Sequence, residues 1–244
     1  MSLRKKIYTY IDALAKRIDK KHFGTPNQSF VAMFHDITET TTDDEFATLK
    51  TSFIKTITEW QESGMKIVQL DQFVDDFEEN KLIVLTFDDG FLSTYYIAKD
   101  YLIPKKIPFT IFINTGLLNC DGYMNDSQVS EMATNSLCTI GLHANKHIAF
   151  RYEKRKILID DYLICKSYMD NLIGKKESYF YAFPYGSVYS VSRANCKQIK
   201  KMGCRSVFVT RQRKVTKTDI KKGYYIPRLN IPGLIKNQYG KKNY

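Results

Sequence analysis

The stretch from Leu82 to Gly90 reads LIVLTFDDG, an apolar run followed by two adjacent carboxylates and a glycine. This pattern predicts a buried strand that ends in a turn. A second apolar run, Cys138 to Leu142, leads to His143 and, four residues later, to His147. One carboxylate and two imidazoles form a ligand set for a divalent ion that leaves a coordination position for water, as in hydrolytic zinc sites. The aspartate of the pair that does not bind the ion is then available to take a proton from that water.

Each of these two patterns has a common structural explanation when it stands alone. Asp-Asp-Gly after a strand is usually a turn, and a His-x-x-x-His pair often marks one polar face of a helix. Here both patterns occur in one chain, each at the end of a predicted strand. Their joint occurrence favours a shared metal site.

Strands and helices alternate along the rest of the chain. The predicted strands are 29–34, 67–68, 82–87, 109–113, 138–142, 179–183, 206–210 and 224–229. Helices are predicted between consecutive strands up to residue 206, and a basic loop is predicted between the last two strands. One of the helices begins at Thr42-Asp43, carries an apolar stripe from Phe46 to Trp60 and ends near Gly64. Alternation at this spacing predicts parallel βα units. Six to eight such units without a clear linker favour a closed barrel over an open sheet.

Polar side chains that could carry chemistry lie just past the C-terminal ends of the predicted strands. They are His35, Asp88, Asp89, His143, His147 and the pair Pro184-Tyr185. A βα barrel gathers its active site at this end of its strands. Residues that serve the core alone would not be expected to follow this rule, so the placement predicts one active site at the mouth of the barrel.

The N-terminus differs in character from the rest of the chain. Residues 1–28 are predicted to form a basic amphipathic helix, because apolar residues recur at helical spacing between lysines and arginines. Residues 29–244 are predicted to form a single domain. The helix either packs on that domain, which we favour, or lies on a membrane surface.

Composition narrows the classes of partner. The net charge of +11, from 37 Lys and Arg against 26 Asp and Glu, suggests an acidic partner such as an anionic or phosphate-linked sugar or a membrane surface. A generally lysine-rich composition explains the charge equally well. Nucleic acid is not predicted as a partner, since no nucleic-acid-binding motif is present. The sequence does not predict the oligomeric state.

The apolar segments and the cysteine content of the chain predict its localisation. No run of 18 or more apolar residues predicts a transmembrane helix, and the basic N-terminus lacks the continuous apolar stretch of a signal peptide. Five cysteines, an odd number without metal-type spacing, fit a reducing compartment. We therefore expect a cytoplasmic protein.

The quoted residues resemble the motifs of the polysaccharide deacetylase family, also called the NodB homology domain. These carbohydrate esterases include chitin-oligosaccharide and peptidoglycan deacetylases. Thr86 to Gly90 matches the first motif residue for residue, and His143 to His147 matches the second, with Ala144 at the usual Ser or Thr. Phe183 to Gly186 resembles the third motif, with Ala182 at its usual arginine. Two further segments, Phe30–His35 and Ile226–Asn230, extend the similarity over residues 29 to 232.

The resemblance implies a distorted (β/α)7–8 barrel and assigns a role to each matching residue. Asp89, His143 and His147 would bind a divalent metal ion, and Asp88 would act as general base on the metal-bound water that attacks an acetyl carbonyl. The ion and the backbone N–H of Tyr185 would hold the oxyanion. Zinc is the favoured ion, although imidazole–carboxylate sets also accept Co²⁺ and Ni²⁺. The implied substrate is an N- or O-acetylated sugar or polysaccharide.

Two departures from the family pattern concern the catalytic machinery. The histidine that family members commonly use as general acid near the C-terminus is Asn230 here, and asparagine cannot deliver a proton. His35 is the best replacement, because the first and last strands of a closed barrel are neighbours; a buried, hydrogen-bonded core role for His35 fits equally well. Arg228 could orient Asp88 in place of the arginine missing at Ala182, or could be an ordinary arginine at a strand end.

The sequence therefore favours a metal-dependent hydrolase that deacetylates a carbohydrate. Two alternatives stay open. One is a non-catalytic glycan- or precursor-binding protein on the same fold, which the missing acid and arginine favour. The other is a different metal-assisted hydrolysis of a C–N amide bond, such as the opening of a cyclic ureide. The complete Asp-Asp-His-His set favours the enzyme.

Overall fold

The computed structural model describes residues 28–234. The predicted amphipathic helix near the N-terminus lies outside the described residues. The strands are β1 (Phe30–Phe34), β2 (Ile37–Thr38), β3 (Thr48–Leu49), β4 (Lys66–Ile67), β5 (Leu82–Asp89), β6 (Phe109–Ile113), β7 (Cys138–Leu142), β8 (Phe180–Ala182), β9 (Ser206–Thr210) and β10 (Tyr224–Asn230).

Seven complete helices lie within residues 28–234, and residues 231–234 are also helical. They are α1 (Lys50–Glu62), α2 (Leu70–Asp75), α3 (Leu92–Ile97), α4 (Asp126–Thr134), α5 (Arg155–Ile173), α6 (Arg193–Lys201) and α7 (Lys217–Lys222). A π-helical turn, Ala98–Leu102, continues α3, and a 3₁₀ turn, Phe150–Tyr152, precedes α5. Over these residues no helix is both long and apolar enough to span a lipid bilayer.

Seven parallel strands close into a barrel, as the alternation of strands and helices predicts. Their order is β1-β10-β9-β8-β7-β6-β5, and β1 pairs with β5 to close the ring. The first and last strands are therefore neighbours, with Met33 of β1 opposite Asn230 of β10. Strand β4 pairs with the start of β5, and β2 pairs with β3 in a separate two-stranded sheet.

Strand β5 contributes to two hydrophobic clusters because successive side chains point to opposite faces. Ile83, Leu85 and Phe87 pack in the larger cluster, which includes Phe53 of α1 and lies between the strands and the surrounding helices. Leu82 and Val84 belong to the smaller cluster, which strand residues largely form and which fills the barrel interior. Since Asp88 follows the same alternation as Val84, its side chain is directed to the interior side at the barrel mouth.

The helix predicted to begin at Thr42-Asp43 is shorter than expected and begins at Lys50. The reason is tertiary: Thr48 and Leu49 pair with β2, so the backbone stays extended up to Leu49. Phe46 consequently lies in a loop and not on the apolar stripe of the helix. The sequence also missed α7, inside a segment predicted as a basic loop, although Thr216 supplies a capping box there.

Candidate active site

The carboxyl ends of β5 and β7 bring the two sequence patterns together. Asp88 and Asp89 are the last residues of β5, and His143 follows directly after β7. Strand β6 lies between these two strands in the barrel. Asp88, Asp89 and His147 line a cleft of about 530 Å³, and His143 lies beside them.

Asp89, His143 and His147 form a group whose ligand atoms all lie within 4.8 Å of one another. Asp89 Oδ1 is 3.5 Å from His143 Nε2 and 3.4 Å from His147 Nε2. Two atoms that each lie ~2.1 Å from a tetrahedral ion stand ~3.4 Å apart. Asp89 Oδ1 therefore has the spacing of a tetrahedral metal ligand with each of the two histidines.

The surroundings of these side chains also fit a cation. Asp89 Oδ1 is buried and has no hydrogen-bond partner among residues 28–234, and a buried acceptor without a donor is costly. His143 places its Nδ1 2.8 Å from the carbonyl oxygen of Ala182, so the Nδ1–H donates to that carbonyl and Nε2 keeps its lone pair for an ion. The Ala182 carbonyl could not be found from sequence, because a backbone group has no residue-type signal.

Protonation states in the site follow from burial. Burial raises the pKa of Asp89 to about 7, and the neighbouring Asp88 carboxylate adds to the rise. Burial lowers the pKa of His143 to about 3 and also lowers the pKa of His147. Both imidazoles are thus neutral at physiological pH, which is the form that binds metals.

Arg228 forms a bidentate ion pair with Asp88. Its two terminal nitrogens lie 2.6 and 2.7 Å from the two carboxylate oxygens, and the Arg228 side chain is completely buried. Burial is the largest single influence on the pKa of Asp88 and raises it, but the charge and hydrogen bonds of Arg228, together with the nearby histidines, outweigh burial and hold that pKa well below its usual range. Arg228 thus contacts Asp88, the carboxylate that it could orient in place of an arginine at position 182.

His35 lies next to Asp88, since β1 and β5 are neighbours. His35 Nε2 is 4.0 Å from Asp88 Oδ2, and its Nδ1 is buried without a hydrogen-bond partner among the described residues. Burial lowers the pKa of His35, although Asp88 partly opposes this effect. The His35 ring also contacts the ring of Phe46, with centroids 5.1 Å apart.

Tyr185 lies beside His147 and is 55% exposed. Its ring packs edge-on against His147 with centroids 4.5 Å apart, and its hydroxyl donates to the His147 carbonyl at 3.3 Å. Its φ of 58° is unusual for a residue with a side chain. Asn230, at the position where family members commonly have their acid, also lines the cleft.

The polysaccharide deacetylase family model matches residues 76–207. The chain belongs to this family. The match includes both central patterns, Thr86–Gly90 and His143–His147, whereas His35 and Arg228 lie outside it. Family membership makes the protein a hydrolase of the carbohydrate deacetylase type.

Solved structures of similar fold come from several bacteria. IcaB from Ammonifex degensii has a TM-score of 0.71 and 22% identity, covering 84% of this chain and 92% of that one. A de-N-acetylase from Aggregatibacter actinomycetemcomitans has a TM-score of 0.70 and 18% identity, covering 83% and 94%. Deacetylase PplD from Streptococcus pyogenes, solved with acetate, has a TM-score of 0.71 and 16% identity, covering 84% and 92%. No curated protein matches the sequence.

Proposed function

We propose that this protein is a metal-dependent deacetylase that removes an acetyl group from an N- or O-acetylated sugar or polysaccharide. The observation that carries the proposal is the convergence of Asp89, His143 and His147 at metal-ligand spacing beside Asp88. A divalent ion held there would polarise the acetyl carbonyl and acidify a water molecule. Zinc suits two imidazoles and one carboxylate, and Co²⁺ or Ni²⁺ would bind the same set.

Asp88 is the proposed general base. Because Arg228 keeps its pKa low, Asp88 is a carboxylate at neutral pH and is ready to accept a proton from the attacking water. The bidentate pair with Arg228 also restricts the orientation of the carboxylate. Attack forms a bond from the water oxygen to the acetyl carbon, and the bond from that carbon to the sugar nitrogen or oxygen then breaks.

His35 is proposed to return a proton to the leaving group. A ring whose pKa is lowered by burial is neutral in the resting enzyme, so it must first receive that proton. Asp88 is the nearest donor after it has taken the proton of the water, since the two side chains lie 4.0 Å apart. The proton would thus pass from water to Asp88, then to His35, and finally to the departing nitrogen.

Tyr185 is proposed to stabilise the oxyanion through its backbone N–H. Its position beside His147, and its unusual φ, support a backbone arrangement that serves the site. A preorganised donor of this kind stabilises the tetrahedral intermediate without reorganisation during the reaction.

The lining of the cleft supports a carbohydrate substrate. Aromatic rings offer apolar faces against which the C–H face of a sugar can pack. Four of them line the cleft: Phe46, Phe91, Tyr185 and Tyr189. Three carboxylates, Asp36, Asp44 and Glu45, line it together with one arginine, Arg211. This excess of carboxylates favours a neutral sugar over the anionic one that the net charge suggested.

A deacetylation screen of the metal-reconstituted protein tests the proposed function. Acetate release would be measured from chitin oligomers, acetylated nucleotide-sugars and acetyl-xylan, with Asp88→Asn as the blank. Release by the wild type alone supports the proposal and identifies the acetylated class. Binding of a sugar without release from any member of the panel would instead support the non-catalytic glycan-binding alternative.

Metal affinity is expected to fall as pH decreases below about 7. The Asp89 carboxyl must lose its proton to bind an ion, and its raised pKa means that the metal-free site holds this proton at pH 6. The histidines add no proton, because their pKa values are lowered. Calorimetric titration with Zn²⁺ in two buffers of different ionisation enthalpy should give about one proton released at pH 6 and close to none at pH 8. Equal proton release at both pH values would contradict this assignment.

His35→Ala is expected to slow hydrolysis of an amide far more than hydrolysis of an aryl acetate. An amine must be protonated as it leaves, whereas a phenolate departs without a proton, so loss of the proton donor affects the amide alone. Rates on an acetamido sugar and on 4-nitrophenyl acetate would be compared in the same preparation. An equal loss on both substrates would mean that His35 has the structural role left open by the sequence.

A further inference from the structure

The loop between His143 and His147 is fixed by a carboxylate from another element. Asp161 of α5 is 2% exposed, and it accepts the backbone N–H groups of Asn145 at 3.0 Å and Lys146 at 2.7 Å. These two N–H groups belong to consecutive residues halfway between the histidines. One buried side chain therefore binds the centre of the loop that carries both imidazoles.

The conformation of this loop needs such support. Ala144 has a φ of 65°, a left-handed conformation that is unfavourable for a residue with a Cβ. The loop lies beyond the end of β7, so its N–H groups are not part of the barrel ladder. An N–H that is partly removed from water needs an acceptor, and Asp161 supplies one for two of these groups.

Two further contacts, both from Thr115 in the segment after β6, also hold this loop. The N–H of Thr115 donates to the Ala144 carbonyl at 3.1 Å, and the Thr115 hydroxyl donates to Asn145 Oδ1 at 3.1 Å. At Gly116 a Cβ would lie 2.2 Å from the Asn145 carbonyl oxygen, so the loop packs directly on this backbone. The loop is thus held between the segment after β6 and helix α5.

We propose that Asp161 is a positioning residue that sets the geometry of the metal site through the loop backbone. The inference rests on the proposed metal binding by Asp89, His143 and His147. An ionised carboxylate has two acceptor oxygens, one for each N–H, and hydrogen bonds to a charged acceptor are stronger than neutral ones. Asparagine has one carbonyl oxygen, and its NH₂ group would face the second N–H as donor against donor.

Asp161→Asn tests the proposal, with Asp160→Asn as a matched control on the same helix. Asp160 is the adjacent residue, its side chain is 48% exposed, and it pairs with Lys156 on the surface. Zn²⁺ affinity would be measured by competition with a chromophoric chelator, and the visible spectrum would be recorded with Co²⁺ bound. We expect Asp161→Asn to weaken Zn²⁺ binding by about 10- to 100-fold and to alter the Co²⁺ spectrum, while Asp160→Asn behaves as wild type.

The outcomes separate this inference from the proposed function. A wild-type protein that binds neither ion would refute the metal site itself. Wild-type Zn²⁺ affinity and an unchanged Co²⁺ spectrum in Asp161→Asn, even with a lowered melting temperature, would show that Asp161 is merely structural. If Asp161→Asn does not fold, amide hydrogen exchange of the wild-type protein decides: the Asn145 and Lys146 amides should exchange slowly with and without metal, and fast exchange would overturn the proposal.

Discussion

Replacing Asp88 by Asn is expected to lower kcat/KM by about 10²- to 10⁴-fold, the contribution usual for a general base. The amide keeps the shape of the side chain but cannot accept the proton of the attacking water. Metal content should stay near one ion per chain, because Asp88 is not among the three ligands proposed for the ion. Acetate release and metal content would be measured on the same sample.

The adjacent variant Asp89→Asn is the matched comparison. It should lose both activity and metal, since it removes the carboxylate that lies between the two imidazoles. If Asp88→Asn lost the metal and Asp89→Asn kept it, the two roles would be interchanged. Activity of Asp88→Asn within about tenfold of the wild type would rule out Asp88 as the general base.

The structure adds a consequence for stability that the sequence did not predict. Asp88→Asn leaves Arg228 charged, fully buried and without its ion partner. A melting curve must therefore accompany the kinetics, so that lost activity is not confused with unfolded protein.

Replacing Arg228 by Met is expected to destabilise the fold by about 3–5 kcal/mol at neutral pH, the usual effect of removing one partner of a buried pair. Methionine retains much of the length and apolar surface of arginine. The lost free energy of unfolding therefore comes mainly from the buried Asp88 carboxylate that remains without a partner. Urea unfolding would measure it. Arg205→Met is the control, since Arg205 pairs with Asp71 and Asp75 but its side chain is 33% exposed, and a small effect is expected.

The pH dependence of the Arg228→Met variant follows from the direction of the Asp88 pKa. In the wild type this pKa is depressed, so the pair stabilises the fold above the ordinary carboxylate pKa and the contribution is lost as pH falls. Without Arg228, burial dominates and raises the pKa of Asp88. The difference in stability between the variant and the wild type should therefore shrink toward acidic pH. In the pH profile of kcat/KM, the fall in activity on the acidic side should occur at higher pH in the variant. If the acidic side of the pH profile of kcat/KM did not change, protonation of Asp88 would not be the cause of that fall in activity.

Local patterns in the sequence predicted much of the barrel. Apolar runs of strand length, such as Phe109–Ile113 and Cys138–Leu142, correspond to β6 and β7 without a change of boundary. These strands are buried on both faces in a parallel barrel, so their residues form continuous apolar runs that are visible in the sequence. Boundaries were less accurate where a tertiary contact decides them, as for the helix that begins at Lys50 after β3 pairs with β2.

The sequence by itself determined the barrel class and the set of residues gathered at its mouth, because both depend on local periodicity and on the rule that parallel strands end on one side. The tertiary structure alone decided their partners. Asp88 meets Arg228 across 140 positions of the chain, and the N–H of Asn145 meets the carboxylate of Asp161 on a separate helix. Such contacts arise when the first and last strands close the ring and a helix packs over a loop. No local pattern records which buried side chain will reach which carboxylate or N–H group.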